Sequence, residues 1–266
     1  MLKNITIGQY YPSDSLIHRL DPRTKIILTI LYIATVFFIK GLYGFLVIGI
    51  LSFLLIKLTK VPMKLFLKGL KPVLFIMTFT ALLNLFLTNE GRILFEYGFL
   101  RITSKGLSLS VFMVLRILFL VVGSSFLLYT TSPVSMTSGL ESLLKPLKKI
   151  GVPAHEISMM MSIALRFIPT LIEETDKIMS AQKSRGANLD EGNIIKRAKA
   201  LIPILVPLFI SSFRRADELA MAMESRCYNG SDNRTKLKAL QYTKKDITAY
   251  VIFFFGAAVV IVTGLV

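Results

Sequence analysis

The amino-acid sequence predicts an all-α, polytopic helical membrane protein with about five transmembrane helices and long amphipathic helices on the cytoplasmic side. Of its 266 residues, 53% are hydrophobic, and the mean hydropathy is +0.63. One soluble core cannot bury this much apolar surface, so lipid must cover part of the chain. Five stretches contain no charged residue, whereas one long segment between them is periodic rather than uniformly apolar.

The five uncharged stretches are the candidate membrane spans, because a helix needs about 20 mostly apolar residues to cross the hydrocarbon core. They cover residues 26–39, 41–56, 72–89, 117–140 and 247–266. The first two are short and are separated at Lys40, which predicts a tight helical hairpin; one long buried helix is the alternative. We expect the fourth helix to begin near Gly106 and to end near Thr130, before Pro133.

The basic residues predict the orientation of the spans. The net charge is +16, and the apolar spans favour a membrane explanation over nucleic-acid binding. Residues 131–245 contain 18 Lys and Arg against 11 Asp and Glu. The connection after the second span contains no acid and five lysines, Lys57, Lys60, Lys64, Lys68 and Lys71. The positive-inside bias therefore predicts a cytoplasmic N-terminus, a cytoplasmic segment over 131–245 and an extracellular C-terminus.

Arg116 and Asn84 are the candidate intramembrane polar residues of the predicted spans. Arg116 is about ten residues into the fourth helix, where a charge costs on the order of 3 kcal/mol. It is a candidate functional residue, or else it packs inward and bonds helix carbonyls or Asn84 of the third span; snorkelling is a further possibility. The residue pattern leaves these readings open.

The cytoplasmic segment is predicted to contain two amphipathic helices, here called the first and second arm. In the first arm, apolar residues recur at three-and-four spacing over 157–179, and Gly186 is a natural helix end. The second arm begins near Leu201, and Pro203 and Pro207 interrupt its apolar first part. The arms are too polar to cross lipid and too apolar to be free in water. We expect them to lie along the membrane surface or to cross one another.

One short pattern occurs at the end of both arms. With a constant offset of 41 residues, four residues of the first arm coincide with four of the second. These pairs are Asp176 and Asp217, Ala181 and Ala222, Ser184 and Ser225, and Arg185 and Arg226. A single arginine at a helix end is ordinary, because the helix dipole favours it by about 0.3–1 kcal/mol. The repeated arginine, each time beside small residues, instead favours docking into two similar partner proteins or into two halves of one partner. The planar guanidinium would make the contact.

The sequence offers little chemistry of its own. It contains no Gly-x-x-x-x-Gly-Lys-Ser/Thr motif, a single cysteine and two histidines. His155 begins a pattern like that of a zinc helix, but Met159 replaces the second histidine. We expect no catalytic, cofactor-binding or metal-binding residues. Five methionines are interpreted as adaptable subunit-interface residues, namely Met159, Met160, Met161, Met221 and Met223.

A non-enzymatic membrane protein of this kind moves a solute either with an energy-supplying partner or alone. An autonomous secondary transporter or channel would have polar groups lining a path through its spans, and often an internal repeat there. Only Arg116 and Asn84 meet the first criterion, and the repeat lies in the cytoplasmic segment. A partner-driven transporter is therefore favoured, with the autonomous transporter or channel as the alternative.

The motifs resemble those of the transmembrane coupling (T) component of energy-coupling factor (ECF) transporters, which are modular ABC-type importers of vitamins and metal ions. The resemblance covers nearly the whole chain, including residues 10–25 before the first span. It also includes Ala-Leu-Arg-Phe-Ile-Pro at 164–169, Ala-Gln-Lys-Ser-Arg-Gly at 181–186 and Ala-Met-Glu-Ser-Arg-Cys-Tyr at 222–228. The paired arginine motifs are the specific part.

The resemblance implies a multi-pass protein of the cell membrane with an N-terminal transmembrane domain (1–130), a cytoplasmic coupling-helix domain (131–245) and a C-terminal transmembrane helix (246–266). It implies two ABC-type ATPase subunits and a membrane-embedded substrate-binding (S) subunit as partners, and no nucleic acid. Each ATPase would bind one arm tip: Ser184, Arg185 and Gly186, or Ser225, Arg226 and Cys227. The family's motif often ends in glycine, from which Cys227 departs.

Overall fold

The computed structural model describes residues 10–88, 90–97, 100–187, 193–228, 230 and 239–265. Within these ranges the chain is mainly helical and has one small antiparallel hairpin, so the all-α prediction is confirmed. The helices are α1 (Pro22–Phe38), α2 (Leu42–Thr59), α3 (Met63–Leu70), α4 (Leu74–Leu87), α5 (Ser104–Thr130), α6 (Pro133–Leu144), α7 (Ala154–Ser184), α8 (Ile194–Glu224) and α9 (Lys244–Leu265). The strands are β1 (Ile93–Tyr97) and β2 (Leu100–Thr103).

The described residues divide into two compact units. The membrane unit lies within Gly8–Leu140 and Leu240–Val266, and contains α1–α5, the hairpin, most of α6 and α9. The arm unit lies within Glu141–Ala239 and contains the end of α6 with α7 and α8. In sequence, the arm unit is thus inserted between α6, of which most lies in the membrane unit, and α9.

Among the described residues, four segments are long and apolar enough to cross a membrane: Leu42–Thr59, Met63–Leu87, Ser104–Thr130 and Lys244–Thr263. The helix α1, predicted as a fifth span, has 17 residues and is about 26 Å long, slightly less than the hydrocarbon core of about 30 Å. The break near Lys40 is confirmed, because α1 ends at Phe38 and α2 begins at Leu42. The two helices pack mainly against α5 and α9 rather than against each other, so the hairpin is less tight than predicted.

The lysine-rich connection is partly helical, which the sequence analysis did not anticipate. Helix α3 is amphipathic: Phe66 is buried, whereas Lys64 is exposed. A short 3-10 turn joins α3 to α4. Apolar residues at helical spacing between the lysines indicate the helix α3, but the density of positive charge suggested a loop.

The core of the membrane unit forms where α1, α2, α5 and α9 meet. Tyr32 of α1 packs there, and its hydroxyl lies 3.1 Å from Ser52 Oγ and donates to the carbonyl of Phe119 at 3.2 Å. Gly123 of α5 allows this approach, because a Cβ atom at this position would lie 2.1 Å from Tyr32 Cε1. Helix α5 therefore fits against α1 only with a hydrogen atom as the side chain of residue 123.

Polar contacts join the first turns of α1 and α9 and the end of α5. Asp21 caps α1 by accepting a bond from the Arg23 amide at 2.9 Å. The amide of Asp21 donates to Asp246 Oδ1 of α9 at 2.8 Å. Lys25 is buried, and its ammonium donates to the carbonyls of His18 and Thr130 at 3.0 and 2.8 Å. Three segments that are distant in sequence are thus held together at one end of the helix bundle.

Candidate functional site: the two arm tips

Both predicted arms are long helices. α7 and α8 each contain 31 residues and are therefore about 46 Å long. The second arm begins at Ile194, seven residues before the predicted start at Leu201. Pro203 and Pro207 lie inside the continuous helix, so the expected interruption is wrong. A proline removes one backbone bond and strains the preceding turn, but its φ is helical, and a long packed helix can absorb the loss.

The two arms run antiparallel where they pack against each other. Arg215 Nη2 of α8 donates to Glu174 Oε2 of α7 at 3.0 Å, and the Ser211 hydroxyl donates to the other carboxylate oxygen. Further along α7, Gln182 Nε2 donates weakly to the carbonyl of Pro203 at 3.4 Å. Residue numbers rise along α7 as they fall along α8, which defines the antiparallel direction.

The contact between the arms joins equivalent residues of the sequence repeat. Glu174 and Arg215 are 41 residues apart, the same offset that relates Arg185 to Arg226. Each arginine of the repeat follows its crossing residue by 11 positions, or about 16 Å along the helix. The two tips therefore lie at opposite ends of the arm pair, at equal distances from the crossing. The offset was visible in the sequence, but this ion pair was missed there because only the identical residues of the repeat were compared.

The arm tips have the same hydrogen-bond pattern. In the first arm, the amide of Gly186 donates to Lys183 O and the amide of Ala187 donates to Gln182 O, both at 3.0 Å. The corresponding bonds in the second arm begin at the amides of Cys227 and Tyr228, with lengths of 2.8 and 3.0 Å. They end on the carbonyls of Glu224 and Met223. This pair of bonds is a Schellman motif, which satisfies carbonyls at a helix C-terminus.

The residue after each arginine has a left-handed backbone. The φ angle is +84° at Gly186 and +56° at Cys227. Glycine adopts this conformation without steric cost, whereas a residue with a side chain loses about 1–2 kcal/mol. Cys227 thus departs from the family's glycine in identity but keeps the backbone geometry that a glycine would have.

The tips present their polar side chains to solvent. Ser184, Arg185, Ser225 and Arg226 are all exposed. The two serine hydroxyls bond back to their own helices, at 3.1 Å from Ser180 O and from Ala222 O. Neither arginine side chain has a hydrogen bond or an ion pair to the described part of the chain. Each tip is therefore a fixed helix end that carries one accessible guanidinium.

The backbone geometry of the tips yields a test. We expect Gly186→Val to weaken the first tip by about 1–2 kcal/mol, because a β-branched side chain opposes a positive φ. The reverse change, Cys227→Gly, should preserve the second tip or strengthen it. Hydrogen exchange of the Ala187 and Tyr228 amides measures both effects, with an acceleration of roughly 5- to 30-fold at Ala187. Ser184→Val, within the helix proper, is the control; equal acceleration there would contradict the role of the positive φ.

The five predicted interface methionines fall into two groups. Met160, Met161 and Met221 are exposed, whereas Met159 and Met223 are half-buried. Three flexible apolar side chains therefore lie on the surface of the arm unit, as an interface would require. Their role as contacts to another subunit stays a prediction.

His155 has a structural partner at the start of the first arm. Its Nδ1 atom lies 3.1 Å from Glu141 Oε1, and the Ser158 hydroxyl donates to Glu141 Oε2 at 2.9 Å. These contacts fix the beginning of α7 against the end of α6. The described residues contain no group of three or more His, Cys, Asp or Glu arranged to hold a metal ion.

The intramembrane polar residues Arg116 and Asn84 do not contact each other through a hydrogen bond in the described chain. Arg116 Nη2 donates to the carbonyl of Ile39 at 2.9 Å, and Ile39 is the C-cap of α1. Asn84 Nδ2 donates to the carbonyl of Thr80 in its own helix at 2.8 Å. Of the alternatives raised by the sequence, the inward bond to a helix carbonyl is the one observed for Arg116. This bond satisfies the Ile39 carbonyl at the end of α1, which has no donor within its own helix.

These features define a class: a polytopic helical membrane protein that carries two antiparallel arms with equivalent basic tips. A family model described as cobalt transport protein, CbiQ, matches residues 13–237. The chain belongs to this family.

Its relatives carry a more specific name. Proteins called energy-coupling factor transporter transmembrane protein EcfT are similar over nearly their whole length. The protein from Clostridium kluyveri is 54% identical over 250 residues, which cover 94% of this chain and 93% of the relative. The protein from Bacillus subtilis is 46% identical over 251 residues, covering 94% and 95%. The predicted resemblance to the transmembrane component of ECF transporters is therefore confirmed, and with it the assignment as a membrane protein of transport.

Proposed function

We propose that this chain is the transmembrane coupling (T) subunit of an ECF-type ABC importer. It transmits ATP-driven motion of two ATPase subunits to a separate substrate-binding (S) subunit, for the uptake of vitamins or metal ions. The observation that carries this proposal is the pair of equivalent, exposed arginine tips at opposite ends of the crossed arms. Two equivalent tips call for two similar binding sites, which a pair of ATPases supplies.

Each tip suits insertion into a groove on an ATPase. The guanidinium of Arg185 or Arg226 forms bidentate bonds to a carboxylate or to carbonyl groups, which an ammonium cannot reproduce. The adjacent Ser184 or Ser225 is small, so the arginine can enter deeply. A Schellman motif holds the tip in one shape, which lowers the entropic cost of docking.

The arms suit the transmission of a displacement. Glu174 and Arg215 are both partly buried, with 23% and 31% of their side chains exposed. Phe167 lies beside the same arginine, with its ring centroid 5.8 Å from the guanidinium carbon. When the ATPases move the tips, a crossing held in this way passes the motion to the rest of each 31-residue helix. The exposed methionines offer a surface on which the S subunit can shift and repack.

The proposed topology follows from charge. The lysine-rich segment from Lys57 to Lys71 contains no acid and covers the end of α2, helix α3 and the start of the turn that leads into α4. The positive-inside bias puts this connection, the N-terminus and the arms in the cytoplasm, and the C-terminus outside. The tips then face the compartment in which ATP is available. The protein contributes no nucleotide site of its own in this proposal, so the energy comes from the ATPases.

Uptake by reconstituted vesicles tests the proposal. The chain is inserted into vesicles alone, with an S subunit, or with the S subunit and two ABC-type ATPase subunits. We expect ATP-dependent accumulation of the substrate only in the complete assembly. Accumulation by the chain alone would instead support an autonomous secondary transporter or channel. A complete assembly in which the ATPases hydrolyse ATP without uptake would contradict the coupling role.

A further inference from the structure

The membrane unit contains a cavity of about 360 Å³ between α1, α2, α5 and α9. Its walls are mostly apolar, with Leu28, Leu51, Phe253 and Val260 among them. The cavity exists because α1 and α2 pack against α5 and α9 rather than against each other. Ala249 and Gly256 of α9 also line the cavity, and their small side chains leave its volume unfilled. Its volume lies within the range of about 300–1,000 Å³ that is usual for small-molecule sites.

One end of the cavity is basic. Lys25 and Lys245 both line it, near the beginnings of α1 and α9. Lys25 is only 7% exposed, and two of its three N–H donors bind the carbonyls of His18 and Thr130. The third donor remains for an oxygen atom in the cavity. Lys245 is exposed at the same end.

The acids near this end already have partners. Asp21 pairs with Arg23 at 3.0 Å and receives the amide bond that caps α1. Asp246 accepts bonds from the amides of Asp21 and Thr243, each at 2.8 Å. These acids therefore leave the ammonium of Lys245 available. An anionic group is the chemistry that complements this end.

Along α1, the depth of the cavity is close to that of one leaflet of a bilayer. On α1 the lining extends from Lys25 to Thr35, a rise of about 15 Å. The hydrocarbon core of a bilayer is about 30 Å thick, so one leaflet contributes about 15 Å. The basic end lies where α1 and α9 begin, and the apolar lining continues to Thr35 on α1 and to Val260 on α9, a rise of about 22 Å on α9. A molecule with an anionic head and one long apolar chain fits both features.

We propose that this cavity binds one anionic phospholipid from the leaflet that adjoins Lys25 and Lys245. An acyl chain lies between α1, α2 and α9, and the phosphate contacts the ammonium of Lys245, with Lys25 as the second donor. This inference goes beyond the transport role and does not depend on it. Bound in this way, the lipid connects the first turns of α1 and α9 to the bilayer surface.

The absence of tryptophan from the chain permits a direct test. Phe253→Trp puts one fluorophore in the cavity wall. Phe255→Trp, two residues on and about 200° around the same helix, faces away, and Phe255 is 74% exposed. Each variant is inserted into nanodiscs with increasing fractions of brominated phosphatidylglycerol or brominated phosphatidylcholine, and quenching is recorded. For Phe253→Trp, we expect half-maximal quenching at an about fivefold lower fraction of the anionic lipid. For Phe255→Trp, we expect no difference.

Two further variants separate the lipid site from bulk lipid. In the Phe253→Trp background, Lys245→Gln should remove the preference for the anionic lipid, and Ala249→Leu, one turn away, should reduce quenching by both lipids. The Phe255→Trp signal, measured with the same substitutions, reports that the chain still inserts. The proposal is overturned if Phe253→Trp does not distinguish the lipids, if Phe255→Trp shows the same preference, or if Lys245→Gln leaves it unchanged.

Discussion

Reversal of both tip charges, Arg185→Glu with Arg226→Glu, is expected to abolish co-purification of the chain with the two ATPase subunits of the proposed assembly. A buried charge pair at an interface loses about 2–5 kcal/mol when one partner is removed, so each tip should lose at least about 30-fold in affinity. The introduced carboxylate adds repulsion where the groove provides acids. Insertion into the membrane should be unaffected, because both arginines are exposed. Affinity purification in mild detergent, followed by quantification of the bound ATPases, measures the effect.

A matched control changes the charge of the same two helices by the same amount. Lys177→Glu with Arg214→Glu affects two exposed residues of α7 and α8 that lie away from the tips. This variant should retain both ATPases. If the control also loses them, the effect is a general response to charge, and if the tip variant retains them, the docking role is wrong. The single variants Arg185→Glu and Arg226→Glu then identify which ATPase each tip holds.

Gly123→Ala is expected to cause the largest loss of stability in the membrane unit. The added Cβ atom would lie 2.1 Å from Tyr32 Cε1 and 2.4 Å from Cδ1, so the ring must move. Movement breaks the contacts of its hydroxyl with Ser52 and with the carbonyl of Phe119. Overpacking of this kind costs about 1–3 kcal/mol or more, which corresponds to a decrease in Tm of roughly 5–10 °C.

Thermal unfolding in detergent, followed by far-ultraviolet circular dichroism, measures this change. Gly256→Ala is the glycine control, because its Cβ atom would meet only the flexible end of Leu51 at 3.2 Å. Ser124→Ala, next to Gly123 but exposed, controls for a substitution in α5. A Tm for Gly123→Ala within 1 °C or so of the two controls would show that α5 can shift away from α1 at little cost.

The fold class could be predicted from the sequence because a segment that crosses lipid must be apolar and must form its backbone hydrogen bonds internally. Long apolar stretches therefore indicate membrane helices directly. The break at Lys40 and the end of the first arm at Gly186 were also visible, since a charge and a glycine there oppose a continuous helix. The second arm begins at Ile194 rather than near Leu201, and Pro203 and Pro207 do not interrupt it. Local rules for proline describe isolated helices, and packing against α7 overrides them here.

Long-range partners could not be predicted from one sequence. Nothing near Arg116 indicates that its guanidinium reaches the carbonyl of Ile39, because the two residues are brought together only by the packing of α1 on α5. The cavity depends in the same way on the separation of α1 from α2. The tip arginines were identified because the chain repeats them, whereas Glu174 and Arg215 differ in type and needed the crossing of the arms to be recognised.

The crossing of the arms at equivalent residues has a consequence for assembly. Two antiparallel helices with equivalent tips offer a two-fold partner two orientations, because each tip can meet either half of the partner. Side chains that differ between equivalent positions of the two arms can select one orientation. Lys183 in the first arm corresponds to Glu224 in the second, which is the clearest such difference beside the tips. In the proposed assembly, two identical ATPases would make this choice immaterial, whereas two different ATPases could be distinguished by the opposite charges of these two residues.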